Sequence, residues 1–273
     1  MKSLNKLQIA LIGFSVLLFV LLYFASKTPE TKIVSTVEDK ISSKELISFE
    51  SLLKSSFVNF SDVEKKKITE LTSNLTIEHT DSLIKILNEL KQPALVAYYS
   101  EKKAELTKSP DDFLVAGNRY YSSVRFLSSK QDVDLVYKSA IRVFSKVVEM
   151  DPNNTAAKIK LASCMVEGTD DPMKGISLLK EVEKTDSNNV DLQLAFAAFS
   201  TKSGQLDKAI MRFNKVLKLK PDYIEAYLYL ADAYEKKGDK QNAILSLSSY
   251  SSKIEDEGVK KEINKYIEQI KNN

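Results

Sequence analysis

Side chains able to do chemistry are few in this chain. One histidine, His79, stands in the stretch TIEHT, and one cysteine, Cys164, in KLASCMVEG. Acid–base catalysis or zinc binding through His79 needs a nucleophile or further ligands at matching spacing, and none accompanies it. A surface histidine is the plainer reading. Cys164 falls on a periodic apolar face and reads as a small buried hydrophobe, because a reactive thiolate needs exposure and neighbouring positive charge. A single cysteine also excludes an intrachain disulfide framework. The sequence holds no Gly-rich phosphate loop, no G-x-S-x-G and no H-E-x-x-H. Asn59, Asn74 and Asn153 fit N-x-[ST], a pattern common by chance. No catalytic, cofactor-binding or metal-ligating residue is assigned, and the chain is not expected to be an enzyme.

Composition narrows what remains. The 40 basic and 37 acidic side chains leave +3, spread too evenly for a nucleic-acid footprint, so no nucleic-acid partner is expected. Seven glycines and six prolines in 273 residues, with 43% apolar content, suit long helices joined by short turns. The expected fold class is all-α.

At the N-terminus a short basic tail, residues 1–6, precedes LQIALIGFSVLLFVLLYFA, residues 7–25, which carries no charge. At about 1.5 Å per residue this stretch spans roughly the ~30 Å hydrocarbon core of a bilayer. A transmembrane signal anchor is therefore expected at 7–25. The competing reading, a cleaved signal peptide, wants alanine where Tyr23 and Phe24 stand. Lys2 and Lys6 precede the span and Lys27, Lys32 and Lys40 follow it, so the positive-inside rule barely discriminates. The short tail favours a cytoplasmic N-terminus, which in a bacterium places the soluble part in the periplasm. Residues 26–42 carry a proline and no helical pattern, as a linker would.

From 43 onward the pattern is helical. Over 43–109, helices are expected near 43–57, 62–75, 80–91 and 93–108, the second opened by a capping box at Ser61 and Glu64 and the fourth by Pro93. Beyond 109 a period emerges. Ala140-Ile141, Gly175-Ile176, Ala209-Ile210 and Ala243-Ile244 succeed one another at 35, 34 and 34 residues. Each small residue is followed four positions on by a large apolar one (Phe144, Leu179, Phe213, Leu247) and three further on by Val147, Val182, Val216 or Tyr250. This is the stripe of a buried helix face. Tyr227, Leu230, Ala231, Tyr234, Gly238, Ala243 and Leu247, with Phe113, Ala116, Gly117 and Tyr120 earlier, fit a helix–turn–helix unit that resembles the tetratricopeptide repeat. The resemblance covers 110–255 as units near 110–154, 155–189, 190–223 and 224–255. It leaves open whether 43–109 holds degenerate repeats. There are departures: Gln193 stands where an aromatic is expected, and about eleven extra residues separate Tyr120 from Ala140. A one-sided apolar helix in 256–273 reads as the cap of the stack.

The resemblance implies an α-solenoid whose concave groove, lined by the first helices, holds protein or peptide partners. The groove positions expected here are Leu114, Asn118, Tyr121, Ile159, Ser163, Leu194, Ala198, Lys202, Leu228, Asp232 and Glu235. Asn118, Lys160 and Ala195 do not reproduce the polar clamp that some members of the family use to hold a terminal carboxylate. The resemblance further suggests an anchored bacterial scaffold or adaptor, an accessory or chaperone-docking factor in protein export or envelope assembly. A cytosol-facing docking receptor is the alternative. An enzyme with an unrecognised site in 43–109 is the remaining reading, and homo-oligomerisation is left open.

Overall fold

A computed structural model describes residues 49–272. The basic tail, the apolar segment 7–25 and the linker 26–42 lie outside the described residues. Among the described residues no helix is long and apolar enough to cross a membrane.

The described chain is a run of antiparallel helices. Residues 49–56 are helical and pass through a 3-10 turn, Phe57–Asn59, into α1, Asp62–Ser73. There follow α2, Ile77–Glu89; α3, Pro93–Thr107; α4, Pro110–Ser123; α5, Lys130–Met150; and α6, Thr155–Gly168. The series closes with α7, Pro172–Thr185; α8, Val190–Lys202; α9, Leu206–Leu219; α10, Glu225–Lys236; α11, Lys240–Ser251; and α12, Glu257–Asn272.

Local chemistry sets these boundaries. Ser61, Thr76, Ser109, Ser129, Asn154, Asn189 and Asp239 each accept a hydrogen bond from the backbone N–H three residues on, which satisfies a donor the first turn leaves unpaired. At Ser61 the Glu64 carboxylate returns the bond, completing a capping box. Pro93, Pro110 and Pro172 open their helices where a missing N–H costs nothing. Gly204 and Gly238 turn α8 into α9 and α10 into α11 with φ of 72° and 81°, a backbone that L side chains rarely adopt.

Each helix packs on its sequence neighbours, and alternate helices α4, α6 and α8 also touch, the pattern of stacked hairpins. The periodic positions form the core. Ala140, Phe144 and Val147 on α5, Leu179 and Val182 on α7, Ala209, Phe213 and Val216 on α9, and Ala243 and Leu247 on α11 are all buried. The helices α2 and α3 make a further hairpin stacked on α4, sharing one apolar cluster that runs from Phe49 to Cys164. The residues inserted after Tyr120 form a second 3-10 turn, Val124–Phe126, and lengthen α5 at its start. At the far end Ile263, Ile267 and Ile270 of α12 pack against Leu228, Ala231, Ile244 and Leu247, and the other face of α12 is charged.

Packing is sparse at one junction, between α7 and α8, compared with the matching junctions α5–α6 and α9–α10. A polar network spans it. The side chain of Gln193, fully buried, donates to the Ser187 carbonyl at 2.6 Å and accepts from Arg212 Nη1 at 2.8 Å. The same guanidinium reaches Glu183 of α7 at 2.5 Å and lies over the Phe196 ring, 4.5 Å from its centroid.

Candidate peptide-binding groove

The first helices of successive hairpins, α4, α6, α8 and α10, share one side of the stack. Between them runs an open groove of about 650 Å³, within the range of sites that hold small ligands or peptide side chains. Its floor is apolar: Ile159 from α6, Leu194, Ala195, Ala198 and Phe199 from α8, and Phe213, which reaches through from α9. Tyr121, Tyr223 and Tyr229 add aromatic walls, and Lys160, Glu167, Asp191, Lys202, Asp232 and Lys236 supply charge of both signs.

The inserted residues build the α4–α6 flank. The lengthened α5 brings Tyr137 over Gly168, where any side chain would collide with the tyrosine. Tyr137 Oη then donates to Glu167 at 2.8 Å, and Tyr121 Oη donates to the other carboxylate oxygen at 2.9 Å. Burial first, then the Glu167 carboxylate, pushes the Tyr121 phenol up, so both tyrosines remain donors at any ordinary pH. Lys160 lies over the Tyr121 ring, 5.3 Å from its centroid.

At the α8–α10 flank Tyr229 stacks on Phe213 with centroids 5.4 Å apart. Burial, then the neighbouring Tyr229 and the carboxylates of Glu225 and Asp191, pushes the Tyr223 phenol up to about 12. Asp232 and Lys236 pair with each other at 2.8 Å.

Of the positions expected from the sequence, Tyr121, Ile159, Ser163, Leu194, Ala198, Lys202 and Asp232 line the groove. The other four do not, for separate reasons. Leu114 packs against the large apolar cluster, and Leu228 is drawn into the terminal cluster beside α12. Glu235 accepts from Tyr266 Oη of α12 at 2.7 Å. Asn118 is exposed on α4 outside the lining. Residues missed from the sequence include Glu167, Tyr229 and Lys236. Repeat arithmetic could have found two of them: Lys236 follows Lys202 by 34 residues and Tyr229 follows Ala195 by 34. Tyr223 comes from the loop before α10, where periodicity gives no guidance.

Neither His79 nor Cys164 lines this groove. His79 Nδ1 is 2.6 Å from the Asn74 carbonyl at the turn between α1 and α2. Cys164 is fully buried, and burial pushes its thiol up, the reverse of an activated cysteine.

Comparison with known proteins agrees with this architecture. Family models described as "TPR repeat" and "Tetratricopeptide repeat" match residues 201–238 and 225–253. The chain is 29% identical over 117 residues to a chloroplastic tetratricopeptide repeat domain-containing protein, PYG7, of Arabidopsis thaliana. That match covers 42% of this chain and spans 38% of the relative's length. A thermophilic TPR protein of Thermus thermophilus superposes with a TM-score of 0.51 at 15% identity, over 71% of this chain and 98% of its own. MamA from Desulfovibrio magneticus gives a TM-score of 0.47 at 16% identity, over 66% of this chain and 96% of its own. Residues 201–253 carry tetratricopeptide repeats, and the described helices stack as an all-helical solenoid of the kind that such repeats build.

Proposed function

We propose that this chain is a membrane-tethered adaptor that seats a peptide segment of a partner protein in the groove across α4, α6, α8 and α10. The observation that carries the reading is the lining itself: an apolar floor with aromatic walls and charges of both signs, open along its length. Such a surface holds an extended or helical segment by side-chain insertion and a few polar contacts. The tether is the uncharged stretch 7–25, long enough to span a bilayer. A groove so tethered concentrates its partner at a membrane, which suits an accessory role in protein export or envelope-complex assembly, with the soluble part periplasmic.

Site-specific photocrosslinking in cells tests this. A photoreactive residue replacing Leu194 on the groove floor should trap a partner, whereas one replacing Lys261 on the charged face of α12 should not. Equal capture at both sites, or none at Leu194, overturns the groove. Topology is read separately by alkylation of Lys261→Cys in intact and permeabilised cells, since buried Cys164 stays silent. Labelling of the periplasmic face in cells with a permeable outer membrane is expected; protection until the inner membrane is opened turns the groove to the cytosol.

A further inference from the structure

The charges that line the groove differ in what answers them. Asp232 is paired with Lys236, Glu167 accepts from two phenols, and Lys160 covers the Tyr121 ring. Elsewhere the same holds: buried Glu101 is met by Arg142 and Tyr120, and Glu183 by Arg212. Asp191 and Lys202 are the exception in the groove. Both are exposed, both line it, and neither has an ion-pair or hydrogen-bond partner among the described residues.

These two charges stand at opposite ends of one helix. Asp191 lies in the first turn of α8 and Lys202 is its last residue. Eleven residues of helix put their backbones about 16 Å apart. The groove surface of α8 between them is Leu194, Ala195, Ala198 and Phe199, which offers no competing charge. Tyr223 and Tyr229 line the groove together with Asp191, and Tyr229 is 43% exposed. Tyr229 is stacked on Phe213 and Tyr223 already has Lys220 over its ring at 5.8 Å, so it is the unpaired carboxylate of Asp191 that suits a cationic side chain. Lys236 is the counterpart of Lys202 one repeat on, in the same groove, but Asp232 answers its charge, which leaves Lys202 as the open cation.

We infer that the groove selects a peptide segment with a basic side chain seated at Asp191 beside Tyr223 and Tyr229, and an acidic side chain at Lys202. In an extended segment the two would be about five residues apart, from a rise of about 3.3 Å per residue, with apolar residues between them on the α8 floor. The inference rests on the reading of the groove as a peptide site. It adds the chemistry of the ligand: opposite charges at a set spacing, so that like charges at either end are rejected.

The test is selection of phage-displayed random 12-residue peptides on the full chain in detergent micelles, and in parallel on Asp191→Lys, Lys202→Glu and Ala198→Trp. The last variant fills the groove floor. Wild type should enrich peptides with a basic and an acidic residue about five apart, and Ala198→Trp should lose them. Asp191→Lys should enrich peptides acidic at both ends, and Lys202→Glu peptides basic at both ends. A synthetic peptide selected on wild type should bind each charge variant about tenfold more weakly. Both residues are exposed, so the variants should keep the wild-type melting temperature; if Asp191→Lys does not, Asp191→Asn carries the same comparison. Enrichment that Ala198→Trp abolishes, but without paired charges or unchanged by both reversals, overturns the inference and leaves the groove reading standing. No enrichment on wild type, or equal enrichment on Ala198→Trp, overturns both.

Discussion

Arg212 of α9 donates to the buried side-chain oxygen of Gln193 at 2.8 Å, inside the repeat whose opening position holds glutamine where the family pattern has an aromatic. The glutamine is fully buried, and both ends of its amide are satisfied. The network therefore replaces ring packing at the sparse α7–α8 junction. Arg212→Met removes the donor and strands a buried acceptor, at a cost of about 1–3 kcal/mol. Adding Gln193→Leu to that variant removes the stranded oxygen and should restore part of the loss. Urea melts of the two single variants and the double variant check this; strictly additive losses would mean that the two side chains are not coupled.

Two glycines should respond to a methyl group for different reasons and to different degrees. A Cβ on Gly175 would strike the Ala162 backbone carbonyl and come within 2.7 Å of Val166 Cγ2, because α6 and α7 cross more closely than a side chain allows. Around Gly204 there is open space, and only its φ of 72° resists substitution. Gly204→Ala then carries the backbone cost of about 1–2 kcal/mol. Gly175→Ala forces two helices apart, and should cost more, about 3 kcal/mol. Thermal melts would rank them, and the reverse order would contradict the close crossing.

Alkaline pH should unfold the repeats in a defined window. Burial pushes the Tyr99 phenol up to about 12 and raises the Cys164 thiol and the Tyr120 phenol as well. Each group keeps its proton to higher pH in the folded chain than in the unfolded one. Their contribution is therefore complete below the unfolded values, about 8.5 for the thiol and 10 for the phenols, and is lost as pH rises toward the folded ones. The melting temperature should be flat from about pH 7 to 8.5 and fall progressively above that. Cys164→Ala, itself less stable, should lack the earliest part of the fall. An unchanged melting temperature at pH 11, roughly a unit above the free phenol value, would contradict the burial of these groups.

The repeat is legible in Ala140, Gly175, Ala209 and Ala243 because each sits where one helix crosses another, and burial leaves few residue types that fit. The same reasoning misplaced Leu228: its position in the period faces the groove, but the end of the stack lies next to it and α12 offers apolar cover. The polar nodes were not legible, since their members are far apart in sequence. Tyr121 and Glu167 are separated by 46 residues, and Glu101 and Arg142 by 41. No local pattern links such pairs, and each residue alone reads as an ordinary solvated side chain. The glutamine at 193 was visible as a departure, but its partner on the next helix was not.

Glu101 tests how much such a node contributes. It is 2% exposed, and it accepts from Arg142 of α5 and from Tyr120 Oη at 2.8 Å, tying α3, α4 and α5 together. Removing one partner of a buried pair leaves an uncompensated charge, typically at a cost of about 3–5 kcal/mol. The Arg142 side chain is 34% exposed, so water reaches part of the pair and the low end applies. Arg142→Met should cost about 3 kcal/mol. Glu101→Leu combined with Arg142→Met removes the stranded carboxylate and should recover most of that loss, although Tyr120 Oη then loses its acceptor and about 1 kcal/mol stays missing. A double-mutant cycle by urea unfolding decides the matter. If the double variant is no more stable than Arg142→Met alone, a stranded Glu101 carboxylate is not what makes the single variant costly; a large loss in the double variant relative to wild type would mean that the node holds the hairpins together by its net attraction.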